Sequence, residues 1–219
     1  MKRLFDIVTS GIALLFLAIP LLIVMLILRC TGEGEVWFLQ DRVGLHGKRF
    51  KVYKFATMRK DSEVTGTKDI TLLNDPRVLP FGKFLRKAKI NELPQVINIF
   101  IGDMSMVGWR PLIPKSFEYY PANVQEQIIR LKPGLTGIGS ICFRDEESIT
   151  ARSKKPPELV YREDIAPYKG ELELWYQEHQ SFLLDMQLIF LTAWAVLRPG
   201  SRLYEKWLKG LPPRPAALH

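Results

Sequence analysis

Apolar and polar positions divide this chain unevenly. Residues 7–28 form one uncharged, mostly apolar run with Pro20 inside it. At about 1.5 Å per residue, a straight helix of that length would just cross the hydrocarbon layer of a bilayer. Proline has no backbone donor, and its ring collides with the carbonyl four residues earlier, here Phe16. The run therefore predicts a helix, a break and a second helix. Lys2 and Arg3 precede it; Arg29, Arg42, Lys48, Arg49, Lys51 and Lys54 follow it. Basic flanks mark the cytoplasmic side. Two such flanks favour a segment that enters the membrane and returns to the same face over a tilted crossing. The run is too long for a cleaved signal peptide, and no small-x-small site closes it.

Weaker periodicities follow. Residues 36–38 and 50–55 predict two short strands joined through a turn over 44–47. Residues 58–75 read as a polar, exposed loop. A basic helix is expected over 81–87. Leu93, Val96, Ile97 and Phe100 share one face of a helix over 91–100, with Asn91 as N-cap, Pro94 in the first turn and Gly102 as terminator. Residues 113–131 are amphipathic and split at Pro121. Residues 134–139 form a glycine-rich loop, either a plain turn or a close approach to phosphate. Residues 172–197 predict a helix, open to a break, whose apolar end is too short to span and belongs to core or interface. Within 201–209, Leu203, Tyr204, Trp207 and Leu208 stand among Arg202, Lys206 and Lys209, a mixture suited to a helix in the headgroup layer. The proline-rich tail over 211–219 predicts fraying. The fold class is α+β: a re-entrant membrane anchor (1–30), a compact, mostly helical domain with a short β-hairpin (31–200), and an interfacial helix with its tail (201–219).

Composition narrows the partners. Lys and Arg outnumber Asp and Glu by 31 to 23 in 219 residues, a net charge of +8. Such an excess suits nucleic acid or an anionic membrane lipid surface. The apolar run favours the membrane, and no nucleic-acid-binding module is recognisable. Cys30 and Cys142 are too few for a disulfide framework. His46, His179 and His219 lie far apart, without metal-ligand spacing.

The densest cluster of chemistry runs from Lys83 to Pro111. Arg86 and Arg110 are suited to binding phosphate oxygens in a bidentate way. Glu92, at a helix start, could hold a divalent cation, move a proton, or only complement the helix dipole. Asp103 follows Gly102 and is open to a turn role. Lys54 in the hairpin reads as a phosphate contact or a solvated lysine. Glu173 and Asp185 lie on one predicted helix and either orient basic residues and metal or are surface charge. From pattern alone the chain is a membrane-surface protein with an anion site.

Longer motifs add to this. Lys89-Ile-Asn-Glu-Leu-Pro-Gln95, Gly102-Asp-Met-Ser105 and Val107-Gly-Trp-Arg-Pro111 resemble those of the bacterial sugar transferases, small monotopic polyprenyl-phosphate phosphoglycosyl transferases. Lys2-Arg-Leu-Phe-Asp6, Gln40-Asp-Arg-Val-Gly44, Phe50-Lys-Val-Tyr-Lys-Phe-Ala-Thr-Met58, Lys132-Pro-Gly-Leu-Thr-Gly137 and Ser181-Phe-Leu-Leu-Asp185 resemble further family motifs, in the same order. The resemblance implies an anchor bent at a proline, on the cytoplasmic face of a bacterial inner membrane. It implies transfer of a phosphosugar from a UDP-sugar donor to undecaprenyl phosphate, with UMP released and Mg²⁺ assisting. Catalytic duty then falls on Asn91, Glu92 and Asp103, metal binding on Glu92, and substrate binding on Lys54, Arg86, Arg110, Glu173 and Asp185. A homo-oligomer is compatible with all of this.

The chain departs from the family pattern where it matters most. The family's Asp-Glu pair, whose aspartate forms a covalent phosphosugar intermediate, is here Asn91-Glu92. A neutral amide is a very poor nucleophile toward phosphorus. Gly108-Trp109-Arg110 replaces the usual Gly-Pro-Arg, Ala56 replaces a basic residue, and Arg144-Asp-Glu-Glu147 stands in place of a less acidic segment. Three readings stay open: Glu92 (or Asp145, Glu146 or Glu147) as nucleophile; direct attack by the acceptor phosphate with Glu92 holding the metal; or a catalytically silent, lipid-binding scaffold.

Overall fold

The apolar run forms α1, Lys2–Cys30, an α-helix that continues through Pro20. The sequence predicts a break there, and the helix does not break. One proline forfeits one ladder bond out of a 29-residue helix, and cooperativity on either side keeps the rest. The computed structural model describes residues 1–63, 75–198 and 200–218. Most of the loop expected over 58–75, and His219, therefore lie outside the described residues. The chain divides into two compact units, Met1–Asp41 with Lys51–Gly102, and Arg42–Phe50 with Asp103–His219.

In the first unit α1 keeps one face against protein and leaves the rest bare. Leu15, Phe16 and Ile19 are 77%, 76% and 71% exposed, whereas Leu21 and Leu28 are buried with Phe55 and Leu85. Near the start of α1, Asp6 and Ser10 are also buried. There Arg3 donates from Nη1 to the Ile99 carbonyl at 2.6 Å and from Nη2 to that of Phe100 at 2.8 Å. Those carbonyls end α3, Gln95–Ile101, which Gly102 closes in the left-handed region at φ 107°. The same folded unit thus holds both ends of α1. Helix α2, Pro80–Lys87, starts on a proline and buries Leu85 and Gly82. A side chain at Gly82 would strike the Thr57 carbonyl, so glycine lets α2 lie against the backbone that leaves the hairpin.

The hairpin pairs β1, Trp37–Val43, with β2, Arg49–Phe55, through a 3₁₀ turn over Leu45–Gly47. The first strand is longer than its apolar signal. Gln40, Asp41 and Arg42 continue it, Asp41 on the exposed side with Trp37 and Leu39, and Gln40 and Arg42 on the half-buried side with Phe38.

The second unit carries most of the buried core. Strand β3, Ser105–Val107, pairs in parallel with β4, Gly134–Thr136, in register Ser105 to Gly134 and Val107 to Thr136. The expected glycine loop is therefore a strand leading into α6, Ile138–Cys142. The amphipathic stretch splits as expected at Pro121, into α4, Pro114–Phe117, and α5, Ala122–Ile128. Then come α7, Glu146–Arg152, a short α8, Pro157–Leu159, and a π-helical turn, Val160–Ile165, that runs into α9, Ala166–His179. Helix α10, Phe182–Leu197, starts afresh with the Ser181 hydroxyl capping the Leu184 amide, so the expected long helix is two.

The last helix, α11, Leu203–Trp207, belongs partly to the core: Tyr204 and Leu208 are buried, and Trp207 is not. The tail does not fray as expected through Leu218, which is 1% exposed in the core cluster. Leu211 also packs against that core, so two leucines hold a tail whose prolines suggested fraying.

Candidate active site

In the first unit the candidate residues converge on the connection between α2 and α3. Helix α2 ends at Lys87, and Lys89 takes the left-handed conformation, φ 59°. A residue with a Cβ pays about 1–2 kcal/mol for that. The reversal starts a 3₁₀ turn, Ile90–Glu92, whose Ile90 packs on the apolar cluster under α1. Asn91 is therefore not the N-cap expected from its position. It sits inside the turn, and Pro94 takes the cap position of α3. The Asn91 side chain is buried, and its Oδ1 has no hydrogen-bond partner among the described residues. A buried acceptor left so costs about 1–3 kcal/mol.

Beside it, Glu92 Oε1 lies 3.2 Å from Lys54 Nζ on β2. The two side chains are only 18% and 15% exposed, so Lys54 is not a solvated strand lysine. Arg86, in the last turn of α2, rests its Nη1 3.9 Å from Met58 Sδ. Lys83 and Lys87 on α2 and Lys89 just after it precede Glu92 in the chain, a basic run suited to phosphate.

Asn98, which pattern reading missed, fixes the turn's geometry. It is fully buried, accepts the Tyr53 amide at 3.0 Å and donates to the Lys51 carbonyl at 2.8 Å. It thereby pins α3 to the strand that carries Lys54. The available signal was an amide set between Ile97 and Ile99 in a helix whose only other polar residue is Gln95 at its start.

No group of three His, Cys, Asp or Glu side chains is placed to hold a metal among the described residues. Magnesium, however, commonly takes one or two protein oxygens and fills its shell with water and substrate phosphate. Glu92 and the unpartnered Asn91 oxygen fit that demand.

The second unit holds the other four candidates. Asp103 is half-buried just before β3. Arg110 follows Trp109, whose ring is buried and whose Nε1 donates to the Leu131 carbonyl at 2.9 Å. Trp109 is thus a core anchor for the segment that presents Arg110. Glu173 is 3% exposed and is no surface charge. It accepts the backbone N–H groups of Arg110 and Gly139, and its Oε2 has no partner among the described residues. Burial pushes its carboxyl up to about 8, against the pull of Lys169. Burial wins because the Lys169 ammonium, itself buried, is engaged by Glu146. Asp185 sits on a different helix from Glu173 and is also buried, accepting the Tyr176 hydroxyl at 2.6 Å to join α9 to α10.

Gly134 and Gly137 are set by close packing, since a Cβ on either would strike the backbone of Gly108. At Gly139 it would strike the Glu173 carboxylate.

The chain is similar to known proteins over nearly all its length. Residues 1–199 match the model of the bacterial sugar transferase family. Sugar transferase EpsL of Bacillus subtilis is 34% identical over 199 residues, 90% of this chain and 87% of the relative. Exopolysaccharide production protein PSS of Rhizobium leguminosarum is 35% identical over 215 residues, 91% of this chain and 96% of the relative. Undecaprenyl-phosphate galactose phosphotransferase of Salmonella typhimurium is 34% identical over 212 residues; that alignment covers 90% of this chain and only 40% of the longer relative. UDP-glucose:undecaprenyl-phosphate glucose-1-phosphate transferase of Klebsiella pneumoniae, 35% identical, is likewise covered over only 39% of its length. Motifs, their order and these alignments agree: the chain belongs to the bacterial sugar transferase family.

Proposed function

We propose that the protein transfers a sugar-1-phosphate from a UDP-sugar to undecaprenyl phosphate at the cytoplasmic face of a bacterial inner membrane, releasing UMP. The observation that carries this reading is the cationic turn of the first unit, with Glu92 clasped by Lys54 next to Arg86. The names of the Salmonella and Klebsiella relatives supply the acceptor, and that of the Klebsiella relative supplies a UDP-sugar donor.

An oxygen of the acceptor phosphate attacks the sugar-bearing phosphorus of the donor. The bond from that phosphorus to the bridging oxygen breaks, and the oxygen leaves with UMP. The neutral Asn91 amide is a very poor nucleophile, and the Lys54 ammonium 3.2 Å from Glu92 Oε1 damps the nucleophilicity of that carboxylate while leaving it anionic. Direct transfer is therefore preferred to a covalent enzyme intermediate. Arg86 and Lys54 offset the charge of the phosphates. Within the second unit Glu173 holds the Arg110 backbone. Glu92 and the Asn91 oxygen would hold Mg²⁺, which when bound neutralises charge on the diphosphate. Residues 1–30 serve as the membrane anchor with both ends on one face, because Arg3 near one end and Leu28 near the other both pack on the first unit.

The test is UMP release from a panel of UDP-sugars, with and without undecaprenyl phosphate, alongside intact mass after incubation with donor alone. UMP that appears only with acceptor, and no adduct, is the expected result. A phosphosugar adduct would overturn direct transfer and leave the overall reaction standing. Absence of UMP from every donor with folded protein would overturn the reaction itself.

A further inference from the structure

The second unit contains a cavity that the proposed reaction does not use. Arg144, Arg152, Arg202 and Arg214 line it, with Asp145 as the acidic residue and Ser201 at its edge. Its volume is about 60 Å³. At roughly 10–15 Å³ for each water-sized group, that is room for about four, which suits the oxygens of one phosphate and is too small for a nucleoside. Arg214 is fixed in place. Its Nε donates to the Leu218 carbonyl at 2.9 Å, its Nη1 to the Tyr204 hydroxyl at 3.4 Å, and its guanidinium lies 5.8 Å from the centre of the Phe143 ring. Arg202 meets Glu205 only loosely, at 3.8 Å.

An aromatic stack is bonded directly to this cavity. Ser201 accepts a hydrogen bond from Trp194 Nε1 at 3.0 Å. Trp194 stacks on Phe190, and Phe190 stacks on Trp207 at 5.1 Å with planes 6° apart. Phe190, Trp207 and Leu197 are exposed, and Arg198 covers the Trp194 ring. Aromatic rings with one wet and one apolar side, flanked by guanidinium groups, match the boundary between headgroups and acyl chains.

We propose that the arginine cavity binds the phosphate of an anionic phospholipid while the Phe190–Trp194–Trp207 stack lies against its acyl chains. Guanidinium groups pair with phosphate oxygens in a bidentate way, which an ammonium does not do. The assignment does not depend on the transferase reading.

The test is native mass spectrometry of the detergent-solubilised full chain, offered phosphatidylglycerol and phosphatidylcholine with the same acyl chains. The wild-type chain is expected to retain phosphatidylglycerol in preference. Arg152→Gln and Arg202→Gln, both at exposed positions that tolerate the change, should each reduce that preference about fivefold, the worth of one basic residue at an anionic surface. Lys48→Gln with Arg49→Gln, elsewhere on the unit, should leave it unchanged. Equal retention of the two lipids, or an unaltered preference in the Arg152→Gln/Arg202→Gln double variant, would overturn the proposal. Displacement of the lipid by inorganic phosphate or UDP at lower concentration would assign the cavity to a soluble anion and overturn the lipid.

Discussion

Asn91 and Glu92 share one tight turn and differ in their surroundings. The amide is buried with an unpartnered oxygen, and the carboxylate faces Lys54. If Glu92 carries the metal and orders the phosphates, Glu92→Gln should lower the rate of UMP release at least about 10²-fold, a usual cost of removing one electrostatic group from a transfer site. Substrate affinity should change far less, which a full kinetic titration would show. Glu173 has a different signature. Its carboxyl ordinarily titrates near 4.5, and burial moves it up to about 8. The folded chain therefore holds this proton more tightly than the unfolded one. The stability linked to it is present in full below about pH 4.5 and is lost as the pH rises toward 8. Glu173→Gln keeps an acceptor for the Arg110 and Gly139 amides and removes the titration. The wild-type melting temperature should thus fall between about pH 5 and pH 9, and the variant's should stay flatter across that range. Glu92 and Lys54 stood out as candidates through the motifs that carry them, and Arg86 through the basic cluster before Glu92. The burial of Glu173 and Asp185 was not, because a carboxylate on an amphipathic helix looks the same in sequence whether it faces water or a pair of backbone amides.

Elements show the same split. The glycines over 134–139 read equally well as a phosphate loop or a turn. The structure uses Gly134 and Gly137 to let β4 and the turn after it lie against Gly108. Gly137→Ala should cost roughly 2–3 kcal/mol, a fall in Tm of roughly 4–12 °C for a chain of this size, read by circular dichroism in detergent. Parallel pairing between β3 and β4 joins residues about thirty apart, and no local pattern announces it. The helices α2 and α3 were visible because each carries an apolar face. The 3₁₀ turn between them was not, since its geometry follows from Lys89 in the left-handed region, where sequence would favour glycine or asparagine. The hairpin was found but shortened, because Gln40, Asp41 and Arg42 follow one another in its first strand and interrupt the apolar signal.

At the scale of the whole molecule, α1 decides where the chemistry happens. One substrate of the proposed reaction lives in lipid, so the cationic turn must lie at the interface. The apolar run, its proline and its two basic flanks were plain in the sequence. What the sequence could not supply is the pair of bonds from Arg3 to the end of α3, which tie the start of α1 to the unit that also packs on its end. A helix that carried Arg3 to the far side of the membrane would have to break both. Impermeant maleimide labelling of Lys2→Cys and of Val36→Cys, each in a Cys30→Ala background on intact spheroplasts, tests this directly. Both positions should resist labelling from outside and react after permeabilisation; labelling of either one from outside would place the ends of α1 in opposite compartments and contradict the account.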